Sequence, residues 1–175
     1  MAQNPWLVSI TTLRKSPGAR QQEHRSGRVG ELAVAGSVVP GDAFVDTDAT
    51  LDSVSGGIEV SADVTAPWKG ECRRCLQPVT GGLHTHVREL FRPRTRDAEP
   101  DEETYPLAGE MLDLQPLVRD ALLLELPLAP LCSDGCRGLC PSCGADLNAG
   151  DCGCDSGPAD PRWSVLDALK ERGPK

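Results

Sequence analysis

The chain has 175 residues, 39% of them hydrophobic, with two Phe, one Tyr and three Trp, and a formal net charge of −8. That length fits one domain, or one compact domain with a small appended module, and the thin aromatic content limits it to a modest core. No apolar run approaches the roughly 20 residues that span a bilayer, and Met1–Ser9 lacks the charged start and apolar stretch of an export signal. The expected compartment is the cytoplasm, with no membrane partner, where reduced thiols read as metal ligands rather than disulfides.

The charge is segregated along the chain. Residues 1–28 hold five bases and one acid, 29–68 seven acids and no base, 69–96 seven bases and two acids, and 97–160 fourteen acids and two bases. Two basic stretches allow a local phosphate-binding face on an acidic protein. Ordinary solvated faces would leave the same trace.

In chain order, Arg14, Lys15, Arg20, Arg25 and Arg28 lie in what reads as a basic, Gly-containing loop, with His24 solvated in it. Leu32–Val39 is a short strand candidate ending at Pro40-Gly41. Val45, Thr47, Ala49 and Leu51 alternate with polar residues, and Ile58, Val60, Ala62 and Val64 do the same. This period of two is that of half-buried strands, and Ser55-Gly56-Gly57 between them can close a hairpin. A further alternation sets Leu83, Thr85, Val87, Glu89 and Phe91 against His84, His86 and Arg88. The pattern predicts an antiparallel sheet with one wet face.

Residues 92–110 run from Arg92, Arg94 and Arg96 into Asp97, Glu99, Asp101, Glu102 and Glu103, and read as a charged linker or mobile loop. A helix follows, with Asp113 as its cap and Pro116 in its first turn. Its apolar face is Leu114, Leu117, Val118, Ala121 and Leu122 at i, i+3, i+4, i+7 and i+8, and Pro127 is its stop. Asp160-Pro161 opens a last short helix carrying Trp163, Leu166 and Leu169, ended by Gly173-Pro174. The fold class is therefore α+β: an antiparallel sheet, a packed Leu-rich helix and a small C-terminal cysteine-rich module. The division is 1–91 for the β-rich region, 92–110 for the linker, 111–130 for the helix and 131–175 for the module.

The eight cysteines form C-x2-C at Cys72/Cys75, C-x3-C at Cys132/Cys136, C-x2-C at Cys140/Cys143 and C-x-C at Cys152/Cys154. A tight turn carrying C-x2-C offers two thiolates to one zinc ion, with Zn–S near ~2.3 Å. In Cys140-Pro141-Ser142-Cys143-Gly144, proline sets the turn and glycine lets the backbone fold around the sulfurs. Cys152 and Cys154 are near enough to complete this set, and their closure would order a segment too short to fold unaided.

Cys72 and Cys75 need two more ligands. Cys132 and Cys136 are the expected pair, since thiolate cages are the usual structural zinc sites; His84 and His86, on one strand face, are the alternative. A thioredoxin-like dithiol at Cys72/Cys75 would need a βαβ context, which is absent. Closed sets of four leave no open coordination position, so the zinc reads as structural. Gly27, Gly30 and Gly36 form no phosphate fingerprint, and no nucleophile or metalloprotease motif is present. Neither an enzyme nor a small-molecule substrate is expected.

Taken together, Gly70-Glu71-Cys72-Arg73-Arg74-Cys75-Leu76, the Leu-rich helix ending Leu126-Pro127-Leu128-Ala129-Pro130, Leu131–Asn148 with its four cysteines, and Cys152-Gly153-Cys154 with Asp160-Pro161-Arg162-Trp163 resemble the YceD family. The resemblance runs from about Trp6 to the C-terminal helix. It implies a cytoplasmic, non-catalytic role in accumulation and processing of large-subunit ribosomal RNA, hence in ribosome biogenesis. It supplies no RNA-binding residue. The residues themselves offer Arg14, Lys15, Arg20, Arg25, Arg28, Lys69, Arg73, Arg74 and Arg88 as candidate rRNA phosphate contacts, were they to share a face. Few aromatics argue against base stacking. The rival functions are an adaptor holding a ribosomal protein or assembly factor, with the acidic 97–103 stretch as its docking point, and a thiol redox-switched chaperone.

Overall fold

The computed structural model describes residues 4–93, 104–154 and 162. The spine is β6 (Gly57–Glu71), a 15-residue strand. Along one edge it pairs antiparallel with β5 (Val45–Val54) from Gly57 to Thr65, then with β4 (Ser37–Val39) at Lys69 and Gly70. Along the other edge it pairs with β7 (Pro78–Pro93) from Ile58 to Glu71. The hairpin expected at Ser55–Gly57 is there, with Val54 facing Gly57 and Gly56 at φ +91, a conformation glycine adopts without strain.

The sheet is completed by β2 (Arg20–Gly27) outside β5, β3 (Leu32–Ala33) outside β4, and β8 (Tyr105–Leu107) outside β7. Every pairing is antiparallel except β7 with β8. A separate two-stranded sheet joins β1 (Leu7–Ser9) to β9 (Met111–Asp113). Among the described residues two helices, α1 (Thr11–Lys15) and α2 (Gln115–Glu125), accompany these strands. The architecture is α+β and mostly antiparallel sheet.

One sheet face is buried. Leu51, Ala49, Ile58, Val60, Ala62, Val64 and Phe91 alternate inward and share one core with Leu117, Val118 and Leu122 of α2, Val8 of β1, Leu112 of β9 and Ile10 after β1. The α2 face is the one its spacing predicts: Leu117, Val118, Ala121 and Leu122 are buried, as is Leu114 before it. Asp113 acts one position further out than a regular cap, its carboxylate accepting the Gln115 N–H at 2.9 Å, while Leu114 occupies the cap position. Among the described residues no helix is long and apolar enough to cross a membrane.

Three expectations need correction. Leu32–Val39 is two strands rather than one, because Ala35 and Gly36 turn the chain so that Leu32 pairs with Val39. The stretch from Arg14 to Arg28 is not a loop: Arg14 and Lys15 end α1, and Arg20–Gly27, His24 included, form β2. An edge strand this polar gains its backbone bonds from β5 and needs no apolar stripe of its own. Within 92–110, β7 extends to Pro93 and Tyr105–Leu107 is a strand, tied down by stacking of Tyr105 on Phe91 at 5.1 Å and by its hydroxyl donating to Asp120. The stretch 94–103 and the C-terminal helix expected from Asp160, with Trp163, Leu166 and Leu169, lie outside the described residues.

Candidate metal centres

The turn joining β6 to β7 is Cys72–Gln77. Within it the Cys72 N–H donates to the Gln77 carbonyl at 2.8 Å, and the Leu76 N–H donates back to the Cys72 carbonyl at 2.9 Å. Leu76 is forced to φ +62, the left-handed region that disfavours a side chain. The second C-x2-C turn repeats this local structure. Cys140 N–H donates to the Ala145 carbonyl and Gly144 N–H to the Cys140 carbonyl, both at 2.8 Å, with Gly144 at φ +74. The offsets are identical, so the chain builds one turn twice, once with glycine at the left-handed position and once with leucine.

Each turn presents two sulfurs, and the chain after α2 delivers the rest. Leaving α2, it is laid over the ends of β4 and β6. Ser37 donates its hydroxyl to the Pro127 carbonyl at 2.8 Å, and the Arg73 N–H donates to the Pro130 carbonyl at 2.9 Å. Gly36 permits this approach, since a Cβ there would lie 2.5 Å from the Leu128 carbonyl oxygen. Cys132 and Cys136 then arrive opposite the first turn, with Sγ–Sγ distances of 3.5 Å from Cys75 to Cys132 and 3.7 Å from Cys72 to Cys136.

The eight cysteines fall into two groups of four, Cys72/Cys75/Cys132/Cys136 and Cys140/Cys143/Cys152/Cys154, with the sulfurs of each within 4.8 Å of one another. A tetrahedron with metal–sulfur distances of ~2.3 Å has edges of about 3.8 Å, close to the two separations in the first group. They are far beyond the ~2.05 Å of a disulfide. Both groups could hold a metal ion. His86, by contrast, faces Asp63 at 3.0 Å and Ser61 at 3.1 Å on the sheet's exposed side, and neither it nor His84 enters a cysteine group.

The groups differ in setting. In the first, Cys72, Cys75 and Cys136 are buried, with Val79, Leu131 and Leu139 packed around them. In the second only Cys140 is buried; Cys143 and Cys154 are exposed. The two are stitched together. Arg74 accepts the Leu139 N–H on its carbonyl at 3.1 Å and donates its guanidinium to the Cys136 carbonyl at 2.8 Å. Asn148, from the loop between Cys143 and Cys152, donates its amide to the Cys136 sulfur at 3.5 Å and accepts the Arg137 N–H at 2.8 Å. Such hydrogen bonds orient a ligand and spread its charge.

The thiols share their protons unevenly. Burial pushes Cys72 up, but backbone N–H groups of Cys75, Cys132 and Arg74 outweigh it and hold the thiol down at about 6. At Cys75 the Gln77 backbone pulls downward, and burial with the thiols of Cys72, Cys132 and Cys136 pushes the group up to about 12. In the second group backbone donors of Cys143 and Ser142 bring Cys140 to about 6, while the neighbouring Cys143 and Cys152 drive Cys154 to about 12. The first proton of each group leaves near neutrality and the last is held by mutual repulsion, since two like charges at ~4 Å oppose one another by about 4 kcal/mol at an effective dielectric of 20. A soft divalent cation removes that repulsion. The donor set, the spacing and the charge all fit one.

The nine candidate RNA-binding residues are not gathered on one face. Arg20 and Arg88 lie on the exposed sheet face, bonded to Asp52 at 2.7 Å and Glu59 at 2.6 Å, while Arg25 is on the opposite side with Glu23 at 2.7 Å. Arg14 donates to the Gly109 carbonyl, and Arg28 donates to the Asp42 carbonyl and lies over the Phe44 ring. Lys69 and Arg73 line a groove of ≈ 700 Å³ beside the first cysteine group, with Leu76 and Leu128. Sequence reasoning placed the cysteines but missed Asn148 and the repeated turn. The left-handed position was the available signal, and leucine at 76 concealed it.

No solved structure matches this chain. A protein of Mycobacterium tuberculosis is 36% identical over 170 residues, covering 93% of this chain and 80% of the relative. One of Mycobacterium leprae is 31% identical over 170 residues, covering 93% and 76%. The Large ribosomal RNA subunit accumulation protein YCED homolog 1, chloroplastic, of Arabidopsis thaliana is 31% identical over 72 residues, 41% of this chain and 22% of that protein. The family described as Large ribosomal RNA subunit accumulation protein YceD matches residues 60–170, a stretch that takes in most of the spine strand, α2 and all eight cysteines. The chain belongs to the YceD family.

Proposed function

We propose that this protein is a non-catalytic, cytoplasmic accessory factor in the accumulation and processing of large-subunit ribosomal RNA, and that each cysteine group holds one structural zinc ion. The observation that carries the zinc reading is the gathering of eight cysteines into two sets of four, the sulfurs of each within 4.8 Å of one another. Zinc is the usual ion of all-thiolate structural cages. When bound it supplies charge compensation and a cross-link. Cys72 and Cys75 would be tied to Cys132 and Cys136, and Cys140 and Cys143 to Cys152 and Cys154. All four positions of each ion would then be taken, leaving none for a substrate or a water nucleophile.

Family membership supports the ribosomal role. For RNA contact, Lys69 and Arg73 are the favoured residues. Among the described residues their side chains make no ion pair, and they sit beside the first cage. Contacts of this kind are to phosphates and weaken with salt.

Native mass spectrometry of the intact protein tests the metal reading. Two zinc ions per chain are expected, one lost in Cys140→Ser and the other in Cys72→Ser; loss of the same single ion in both would overturn the two-cage partition. Filter binding to large-subunit rRNA across a salt series tests the RNA reading. Absence of binding at low salt would leave an adaptor for a ribosomal protein in its place.

A further inference from the structure

The two cysteine groups touch through residues of two kinds. Leu139, just before Cys140, donates its N–H to the Arg74 carbonyl at 3.1 Å and packs its side chain against Cys72, Cys75 and Cys136. That contact precedes Cys140 in sequence, so it does not depend on how the second group closes. Asn148 is different. It lies between Cys143 and Cys152, in the loop that the second group closes, and reaches back to the first group. Its side-chain amide donates to the Cys136 sulfur at 3.5 Å.

Every polar atom of that side chain is committed. Oδ1 accepts the Arg137 N–H at 2.8 Å, and Nδ2 also donates to the Asp146 carboxylate at 2.7 Å. The same carboxylate accepts the Asn148 backbone N–H at 2.9 Å. The opposite amide orientation would set oxygen against a carboxylate and a sulfur, so these neighbours fix Nδ2 as the donor to Cys136. On its near side the loop is held by the Leu147 N–H on the Gly138 carbonyl at 2.9 Å. Its far side is anchored by an exposed ion pair, Arg137 with Asp151, and by Cys152 and Cys154 themselves. The sulfur that receives the bond belongs to the buried group, where Cys72, Cys75 and Cys136 are withdrawn from water. Four thiolates around a divalent ion leave surplus negative charge there, and an N–H on a sulfur offsets part of it.

We propose that the two cages are thermodynamically linked, with Asn148 as the positioning residue that joins them. Closing Cys140, Cys143, Cys152 and Cys154 on one ion fixes both ends of the loop, holds the Asn148 amide at Cys136 and so strengthens ion retention by Cys72, Cys75, Cys132 and Cys136. By reciprocity the first cage strengthens the second by the same factor. The linkage rests on the reading that each group holds one ion. Asn148 is itself exposed, so the expected factor is about fivefold, the scale of one hydrogen bond to a charged sulfur in contact with water.

The test is equilibrium competition for zinc between the reduced full chain and a chelating indicator, with native mass spectrometry counting the ions bound. Asn148→Ala should lower the overall two-zinc constant about fivefold. Cys140→Ser confines zinc to the first cage, and in that background Asn148→Ala should change the constant by less than about twofold, because an open loop does not hold the amide at Cys136. Asn148→Asp keeps an acceptor for the Arg137 N–H but loses the donor to sulfur, so its loss should be at least that of Asn148→Ala. A residue that merely anchored the loop through Oδ1 would leave Asn148→Asp like wild type. Two bound ions with less than about a twofold effect of Asn148→Ala, an equal effect in the Cys140→Ser background, or wild-type binding by Asn148→Asp each overturns the linkage and leaves the two-cage reading standing. A wild-type chain that takes up one ion overturns that reading and the linkage with it. Circular dichroism of each variant confirms that the sheet is intact.

Discussion

If each cysteine group holds zinc as proposed, replacing Cys72 by serine removes a ligand from the cage that ties the sheet to the chain beyond α2. Cys75 and Cys132 are 57 residues apart in sequence. Closing a loop of that length lowers the entropy of the unfolded chain by an amount worth about 4 kcal/mol in the chain-entropy relation for cross-links. For Cys143 and Cys152, nine residues apart, the same relation gives about 2.5 kcal/mol, and that closure lies outside the sheet. Urea unfolding of zinc-loaded protein, followed by the circular dichroism of the sheet, distinguishes the two. Cys72→Ser should lower the midpoint by up to about 2 M for a slope near 2 kcal/mol/M. Cys154→Ser should move it by less than about 0.5 M, because the sheet still closes through its own cage. Equal shifts in the two variants would refute the argument that one cage holds the fold and the other only its local segment.

Three further outcomes follow from the packing and charge already described. A competing chelator with a metal indicator should withdraw zinc in two phases. The fast phase belongs to the group with Cys143 and Cys154 exposed and should vanish in Cys140→Ser. Thr47 is fully buried, and among the described residues its hydroxyl has no partner; Thr47→Val should raise unfolding stability by about 1–3 kcal/mol, read by the same urea titration. Tyr105 is the chain's one tyrosine, and burial, aided by its bond to Asp120, raises its hydroxyl above the ordinary range. Its alkaline absorbance titration should lie above the usual ~10 and shift back towards it in Asp120→Asn. Because the folded form keeps a proton that the unfolded form loses, this group's contribution to stability falls as pH rises past ~10.

The parts of the fold legible in the sequence are those in which burial alternates with a simple period. The β5–β6 hairpin and the inward face of α2 show it, because a single face of each meets the core. β2 was not legible: Arg20–Gly27 holds no large apolar residue, and its place depends on β5 beside it. β8 is three residues long, and its parallel pairing with β7 leaves no local trace. The cysteine partition could be read because ligand number and spacing are local chemistry. The fate of the basic residues could not, since the carboxylates that engage Arg20, Arg25 and Arg88 are brought to them by strand register or by alternation along their own strand.

The 57-residue gap inside the first cysteine group also imposes an order of events on a growing chain. At about 5–20 residues per second of synthesis, Cys72 and Cys75 precede Cys132 by about 3–11 s. Throughout that interval β6 and β7 can pair, yet the turn between them has two sulfurs facing nothing. The second group spans only Cys140 to Cys154, so it closes almost as soon as its last residue appears. A chain that stops short of Leu131 therefore keeps a nearly complete sheet with two uncovered thiols at one end. Those thiols become a chemical mark by which an unfinished copy differs from a finished one.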